Sequence, residues 1–459
     1  MADQKKLKKI KSSVLSRSFQ LAKLTVSTGA KLTGFGAGQI LSGNKKNSEL
    51  WQQKWQAFLK DRAVDFSQDL GELKGSIMKA GQMLSMYGEH FLPPEANNLL
   101  KSLQSQSPPL VWEPIDQVLR QNLSPQQLDK LEIEREAIGS ASIGQVHRAR
   151  IKATGEQIVL KVQYPDMELA IDSDLKAIKS FLKLLKLLPQ NIDSEALFAE
   201  VRAMLIQEMD YELEIQQTQK YQSLLASDLR FVVPKIYPEF CGKKVIASSF
   251  EQGESPDSPK VLGLSQERRN TLAKNFIDLY FTELFDWGFV QTDPHLGNYK
   301  IRLNEDGQDQ LVLLDFGAVR TYSAEFLENY KKMIEASLFL ESEQLQEAAE
   351  KLGFIQRTDS VELLRAFENF CFSTVEPFMT PDDRRNTNKQ MNLQGEYNWK
   401  HSDLPQRLTQ EGFRMVQNFK LRSPPQEILF IDRKTGGVFI FCSVMKANIN
   451  SRQLLTKHF

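Results

Sequence analysis

Cysteine is scarce in this chain: 459 residues contain three, Cys241, Cys371 and Cys442, odd in number and far apart. That usage weighs against a disulfide framework and points to a reducing, cytoplasmic compartment. No zinc pattern can be assembled from them, and the five histidines are too scattered for a histidine-based metal site. Net charge is lacking as well. With 58 basic and 58 acidic side chains the total is formally zero, so nothing in it favours nucleic acid. Long apolar runs are missing too. The stretch LAKLTVSTGAKLTGFGAGQIL carries Lys23, Lys31 and several glycines, a poor match to a bilayer-spanning helix. It also lacks the apolar core and cleavage pattern of a secretory signal.

What is present is ordinary globular material, 41% apolar and 25% charged, in a chain long enough for two or three packed units. The zero total hides an asymmetry: the first 46 residues carry ten Lys or Arg against a single acid, Asp3. A basic segment followed by a small-residue, partly amphipathic stretch suits peripheral contact with an anionic membrane surface, each Lys contributing roughly 1 kcal/mol. A solvated, frayed terminus has the same composition.

Residues 51–101 read mostly helical, and QSQSPPLVWEP then breaks the pattern with three prolines. From residue 131 the texture changes to a three-stranded meander, expected over 132–138, 144–151 and 157–164. Helical periodicity resumes over 169–188 and again from 194 to about 225, before β-prone runs at 231–236 and 244–250. A long helix over 272–287, a polar loop and a hairpin follow. Beyond residue 324 the chain reads helical with polar interruptions. The expected organisation is a basic N-terminus (1–50), a helical extension (51–130), a β-rich lobe with inserted helices (131–250) and a helical lobe (251–459).

The chemistry concentrates in short strings. In GFVQTDPHLGNYK, Asp293 and Asn298 stand five apart, the spacing of the acceptor-handling Asp and metal-binding Asn of a protein-kinase catalytic loop. These are also common turn residues, so the string alone does not decide. LVLLDFGAVR follows, with Asp315 ahead of Phe316 and Gly317. A hairpin with strands at 299–303 and 310–314 around Asn304-Glu-Asp-Gly307 would set Asn298 beside Asp315, two oxygen donors suited to Mg²⁺ held against nucleotide phosphates. Upstream, QIVLKVQ puts Val159, Lys161 and Gln163 on one strand face and Ile158, Leu160 and Val162 on the other. In a kinase small lobe such a lysine neutralises α- and β-phosphate charge. The preceding small-residue loop, including Gly139, Ser140, Ala141 and Ser142, lets backbone N–H groups approach phosphate. Neither a Walker A loop nor the usual kinase G-x-G-x-x-G is present. A carboxylate partner for Lys161 is offered four times, by Glu208, Asp210, Glu212 and Glu214 on one expected helix, and spacing does not choose among them.

KAGQ (Lys79 to Gln82), SASIGQVH (Ser140 to His147), Glu208-Met-Asp210 with Glu214, and DPHLGN followed by DFG together resemble the UbiB-type atypical kinases, the AarF-domain proteins associated with ubiquinone biosynthesis. The resemblance covers residues 75–320. It implies an α+β, protein-kinase-like two-lobed fold with an N-terminal helical KxGQ extension, whose Lys79 and Gln82 reach over the active site. It further implies that Glu208 and Asp210 contact that extension and that Glu214 pairs with Lys161. ATP and Mg²⁺ are the implied cofactors, with Lys161 on the α- and β-phosphates, Asn298 and Asp315 on the metal, and Asp293 orienting or deprotonating the attacking group. Isoprenoid lipid at a membrane is the implied partner. The chain departs from the family pattern at Gly139, Ser248-Ser249, Gln291-Thr292 and Leu296, none of them a catalytic side chain. Two other readings stay open: a small-molecule kinase, and a non-catalytic nucleotide-gated scaffold for lipid or protein.

Overall fold

Alternating apolar and polar runs separated by turn residues fold as an antiparallel meander: β1 (Leu131–Ser140), β2 (Gly144–Ile151) and β3 (Gln157–Gln163). On β3 the side chains Ile158, Leu160 and Val162 are fully buried while Val159 and Lys161 are half-buried, as a period of two requires. Gln163 departs from this alternation. It is buried, and its amide donates to the Met209 carbonyl at 3.0 Å. The computed structural model describes residues 76–91, 97, 100, 109–140, 143–185, 187–188, 194–382, 390–418 and 426–459. The basic segment, the expected extension ahead of Ser76, and loop positions Ala141 and Ser142 lie outside them.

The chain clusters into two compact units, Met1–Ile215 with Lys235–Phe250, and Gln216–Pro234 with Glu251–Phe459. The first contains α1 (Ser76–Phe91), α2 (Trp112–Asn122), α3 (Pro125–Asp129), the meander, α4 (Met167–Leu184) and α5 (Ser194–Glu208). Strand β5 (Val245–Ser249) completes a sheet of order β1-β2-β3-β5 by pairing antiparallel with β3. Helix α1 packs on α4 and α5.

The helix expected from 194 to about 225 is instead two, α5 and α6 (Tyr211–Leu224). Asp210 breaks it: its carboxylate accepts the Leu213 N–H at 2.9 Å, capping the new helix start. The four acids of that region therefore do not share one helix.

In the second unit, α7 (Pro259–Leu262) precedes α8 (Gln266–Phe281), which runs into a π-helical turn, Thr282–Trp287, and stops at Gly288 in the left-handed conformation. Strand β6 (Phe289–Gln291) pairs with β9 (Val319–Thr321). The hairpin forms from β7 (Tyr299–Arg302) and β8 (Gln310–Leu313), with Gly307 at φ 81° in its turn. Strand β4 (Phe231–Val232) adds parallel to β8. It is shorter than the expected 231–236: Pro234, two residues beyond its end, has no N–H to give, and Ile236 bridges Ser248 instead. Helices α9 (Ala324–Phe339), α10 (Ser342–Lys351), α11 (Val361–Thr374), α12 (Leu404–Asn418), α13 (Gln426–Val444) and α14 (Arg452–Thr456) complete the unit, with β10 (Tyr397–Asn398) pairing β11 (Asn448–Ile449). Its core is built on α8 and α13, where Phe276 and Phe441 stack at 4.3 Å between centroids.

Candidate functional site

In the first unit, Lys161 Nζ lies 2.7 Å from Glu214 Oε1 and 5.4 Å from the centre of the Tyr211 ring. The capped start of α6 thus supplies both the carboxylate and an aromatic face, and of the four acids it is Glu214 that meets the strand lysine. Gly144 makes this approach possible. A Cβ there would sit 2.6 Å from the Val162 carbonyl and 2.9 Å from the Tyr211 hydroxyl. Gly139 is under no such constraint, since a Cβ there would find Val146 only at 3.9 Å. Ser140 reaches the Tyr164 hydroxyl at 3.0 Å.

Lys79, buried on α1, pairs with Glu208 at the end of α5 at 2.7 Å, and Gln82 is half-buried on the same helix. Asp210 does not join them. It is exposed and serves as the cap of α6.

The Gln-Val-His portion of the second motif turns out to be structural. Gln145 and His147 are fully buried; Gln145 accepts the Leu110 N–H at 2.9 Å and donates to the Leu110 carbonyl and to His147 Nε2. His147 Nδ1 then faces the Glu134 carbonyl at 2.9 Å, which assigns its proton to Nδ1. Burial lowers the imidazole's affinity for a second proton, with the Glu134 carbonyl opposing.

In the second unit the hairpin closes with the Leu314 N–H on the Asn298 carbonyl at 2.9 Å, so Asn298 and Asp315 stand at adjoining ends of one ladder. The Asn298 amide donates to the Asp293 carbonyl at 3.0 Å, which commits its nitrogen and leaves the side-chain oxygen as the ligand-type atom. Asp315 Oδ1 accepts the Gly317 N–H at 2.9 Å. Among the described residues no cluster of three or more His, Cys, Asp or Glu could hold a metal by itself. An amide oxygen beside one carboxylate fits Mg²⁺, which takes one or two protein oxygens and completes its shell with phosphate and water.

Three residues outside the expected site set organise this loop. Arg433 of α13 donates to Asp293 Oδ1 at 2.7 Å. Gln291 donates to the Asp293 carbonyl at 2.8 Å and accepts from the Tyr299 hydroxyl at 3.0 Å. Lys434, 1% exposed, pairs with Glu283 at 3.1 Å and reaches Gln291 at 3.4 Å. Glu283 also accepts the Tyr221 hydroxyl at 2.8 Å. Burial raises the Glu283 carboxyl above its usual range, and Lys434 and Tyr221 work against that rise. Gly437 lets α13 touch the loop: a Cβ there would fall 2.1 Å from the Pro294 ring. The signal for this helix was present as Asp432-Arg-Lys434, three charges inside an otherwise apolar run.

Among the described residues no helix is long and apolar enough to cross a membrane. Residues 102–349, more than half the chain, match the model of the ABC1 atypical kinase-like domain. The probable serine/threonine-protein kinase abkA of Dictyostelium discoideum is 30% identical, over 98% of this chain and 80% of its own. The mitochondrial atypical kinase COQ8 of Saccharomyces cerevisiae is 27% identical, over 100% of this chain and 87% of its own. Among solved structures, the complex of Rv3197 with erythromycin from Mycobacterium tuberculosis superposes with a TM-score of 0.58 at 24% identity, covering 88% of this chain and 97% of that one, a likeness in fold. The expected UbiB-type, α+β kinase-like architecture holds. The chain belongs to the ABC1 atypical kinase-like family.

Proposed function

We propose that this protein binds ATP with Mg²⁺ and catalyses phosphoryl transfer or ATP hydrolysis, coupled to the handling of isoprenoid quinone precursors at a membrane surface. The observation that carries the reading is the β7–β8 hairpin, whose closure aligns Asn298 with Asp315 while the Asn298 amide fixes the Asp293 backbone. Asn298 and Asp315 would hold Mg²⁺, which supplies charge neutralisation on the phosphates. Lys161, kept in place by Glu214, would take the α- and β-phosphates, and backbone N–H groups from Gly139 to Ser142 would cover them. Asp293, oriented by Arg433, would position the attacking hydroxyl or water. Lys79 and Gln82 would gate access, with Glu208 anchoring Lys79. The basic segment 1–46 would supply the contact with anionic lipid.

The test is Mg²⁺-dependent ADP release by wild type and Asp315→Asn, with and without anionic liposomes carrying a phenolic quinone-precursor mimic. Turnover confined to wild type and raised by the liposomes is expected. Retention of turnover by Asp315→Asn would overturn the metal assignment. Thermal stabilisation by ATP without turnover in any condition would replace catalysis with nucleotide-gated binding.

A further inference from the structure

Gln291 ends β6, just ahead of Asp293, and its buried side chain touches both loops that carry the second unit's site residues. The amide nitrogen donates to the Asp293 carbonyl at 2.8 Å and, over a longer 3.4 Å, to the Asp315 carbonyl. The amide oxygen accepts from the Tyr299 hydroxyl at 3.0 Å and from Lys434 Nζ at 3.4 Å. Two donors and two acceptors exhaust what a primary amide offers. A buried group satisfied in this way holds one geometry, because turning it strands several partners together.

The neighbours also decide which end of the amide faces which way. A lysine ammonium only donates and a main-chain carbonyl only accepts, so the oxygen faces Lys434 and the nitrogen faces the two carbonyls. Burial raises the Tyr299 hydroxyl well above its ordinary range, which keeps it a donor. Lys434 is in turn fixed by Glu283 at 3.1 Å.

The Asp293 carbonyl accepts the Asn298 amide as well, at 3.0 Å. Gln291 thus meets one member of the Asn298–Asp315 pair through a shared oxygen and the other directly. The β6–β9 ladder joins Gln291 to Val319, downstream of Asp315, and it is the Gln291 side chain that reaches back to Asp315. We propose that Gln291 is a positioning residue: through main-chain carbonyls it sets the spacing of Asp293, Asn298 and Asp315, and so the affinity of the Asn298–Asp315 pair for Mg²⁺, with Lys434 fixing the polarity of its amide. The inference rests on the metal role proposed above for Asn298 and Asp315.

The full chain would be titrated with the non-hydrolysable β,γ-imido analogue of ATP, once with Mg²⁺ and once in EDTA, and the ratio of the two affinities gives the metal's contribution. Wild type should bind the analogue more tightly with Mg²⁺. Gln291→Met, which keeps the side chain's length and loses the amide, should cut that gain by about tenfold, or abolish a smaller one, as loss of a group that holds metal ligands does. Affinity in EDTA should be unchanged. Gln291→Glu, which keeps acceptors for Tyr299 and Lys434 but turns an oxygen on the two carbonyls, should lose at least as much. Gln291→His, able to give one N–H to the carbonyls and a ring nitrogen to Lys434, should recover part of the gain. A residue that only stabilised the fold would lower the unfolding midpoint and weaken the analogue equally with and without Mg²⁺. That equal loss, or an unchanged gain in Gln291→Met, would overturn the inference and leave the metal pair standing. No gain with Mg²⁺ in wild type would overturn both.

Discussion

The strands around Lys161 and the helix behind Asp293 solve the same problem, the fixing of one charged side chain, with different means. On β3, register points Lys161 to one face, and Glu214, 53 residues on, meets it from the first turn of α6. Behind Asp293 the partner is Arg433, 140 residues away on α13, and the support extends to a buried Lys434–Glu283 pair. The first arrangement lies among short strings that name their residues. The second is written only as three charges inside an apolar helix, where packing rather than a motif decides each position. Residues that face a ligand are constrained in type; residues that hold a loop from behind are constrained by neighbours that sequence spacing does not reveal.

The sharpest way to break the comparison is to truncate the two lysines alike. Lys434→Met leaves Glu283, 1% exposed, as an uncompensated carboxylate, and should cost about 3–5 kcal/mol of unfolding free energy. Lys161→Met, at a lysine with 17% of its side chain accessible, should cost less, about 1–3 kcal/mol, while abolishing the ATP binding proposed above. Urea denaturation of both variants measures the contrast; equal losses would mean that the Lys161 pair is as structural as the Lys434 pair. Glu283→Gln combined with Lys434→Met should recover most of the larger loss.

The two neighbouring glycines of α13 sharpen it next. Gly437→Ala must displace either the helix or the Pro294 ring, at about 1–3 kcal/mol, and should weaken the Arg433–Asp293 contact with it. Gly436, where an added methyl would meet nothing within 4 Å, should gain about 0.5–1 kcal/mol on substitution by Ala. Opposite signs at adjacent positions, read from thermal unfolding, would show that the glycine pair serves the loop and not the helix.

Much of this was legible beforehand for identifiable reasons. The meander and the hairpin were readable because period-two patterning and Asn-Glu-Asp-Gly turn chemistry act within a few residues. That Asn298 and Asp315 stand at adjoining ends of one hairpin followed from hairpin geometry alone. The break at Asp210 was missed because helical periodicity persists on both sides of it, and a capping aspartate looks like one more surface acid. In the sequence Gln291 shows only as a departure from a family pattern; its bonds to Asp293 and Tyr299 appear once β6 is set beside the loop. Gln145 and His147 sat in a nucleotide-type string yet are fully buried and bonded to backbone, because that strand must also tie down Leu110 and Glu134.

Asp432 supplies the third case, a carboxylate near that helix's anchors with no cation of its own among the described residues. Its carboxyl is raised to about 7 from an ordinary 3.8, so between those values the folded protein holds a proton that the unfolded chain has released. Stability therefore falls as pH rises through that window, and the penalty is complete above about pH 7. Tyr330 and Cys371, which face the same carboxylate, are themselves pushed up by burial and stay neutral across the range. Asp432→Asn should accordingly leave stability unchanged near pH 4 and raise it by about 1–2 kcal/mol near pH 8. Glu283, buried but paired with Lys434, should show no comparable gain when replaced by Gln at the higher pH, because the substitution strands the lysine. Chemical denaturation of both variants at the two pH values separates the cases: a pH-independent effect of Asp432→Asn would mean that its carboxylate is already paired in solution.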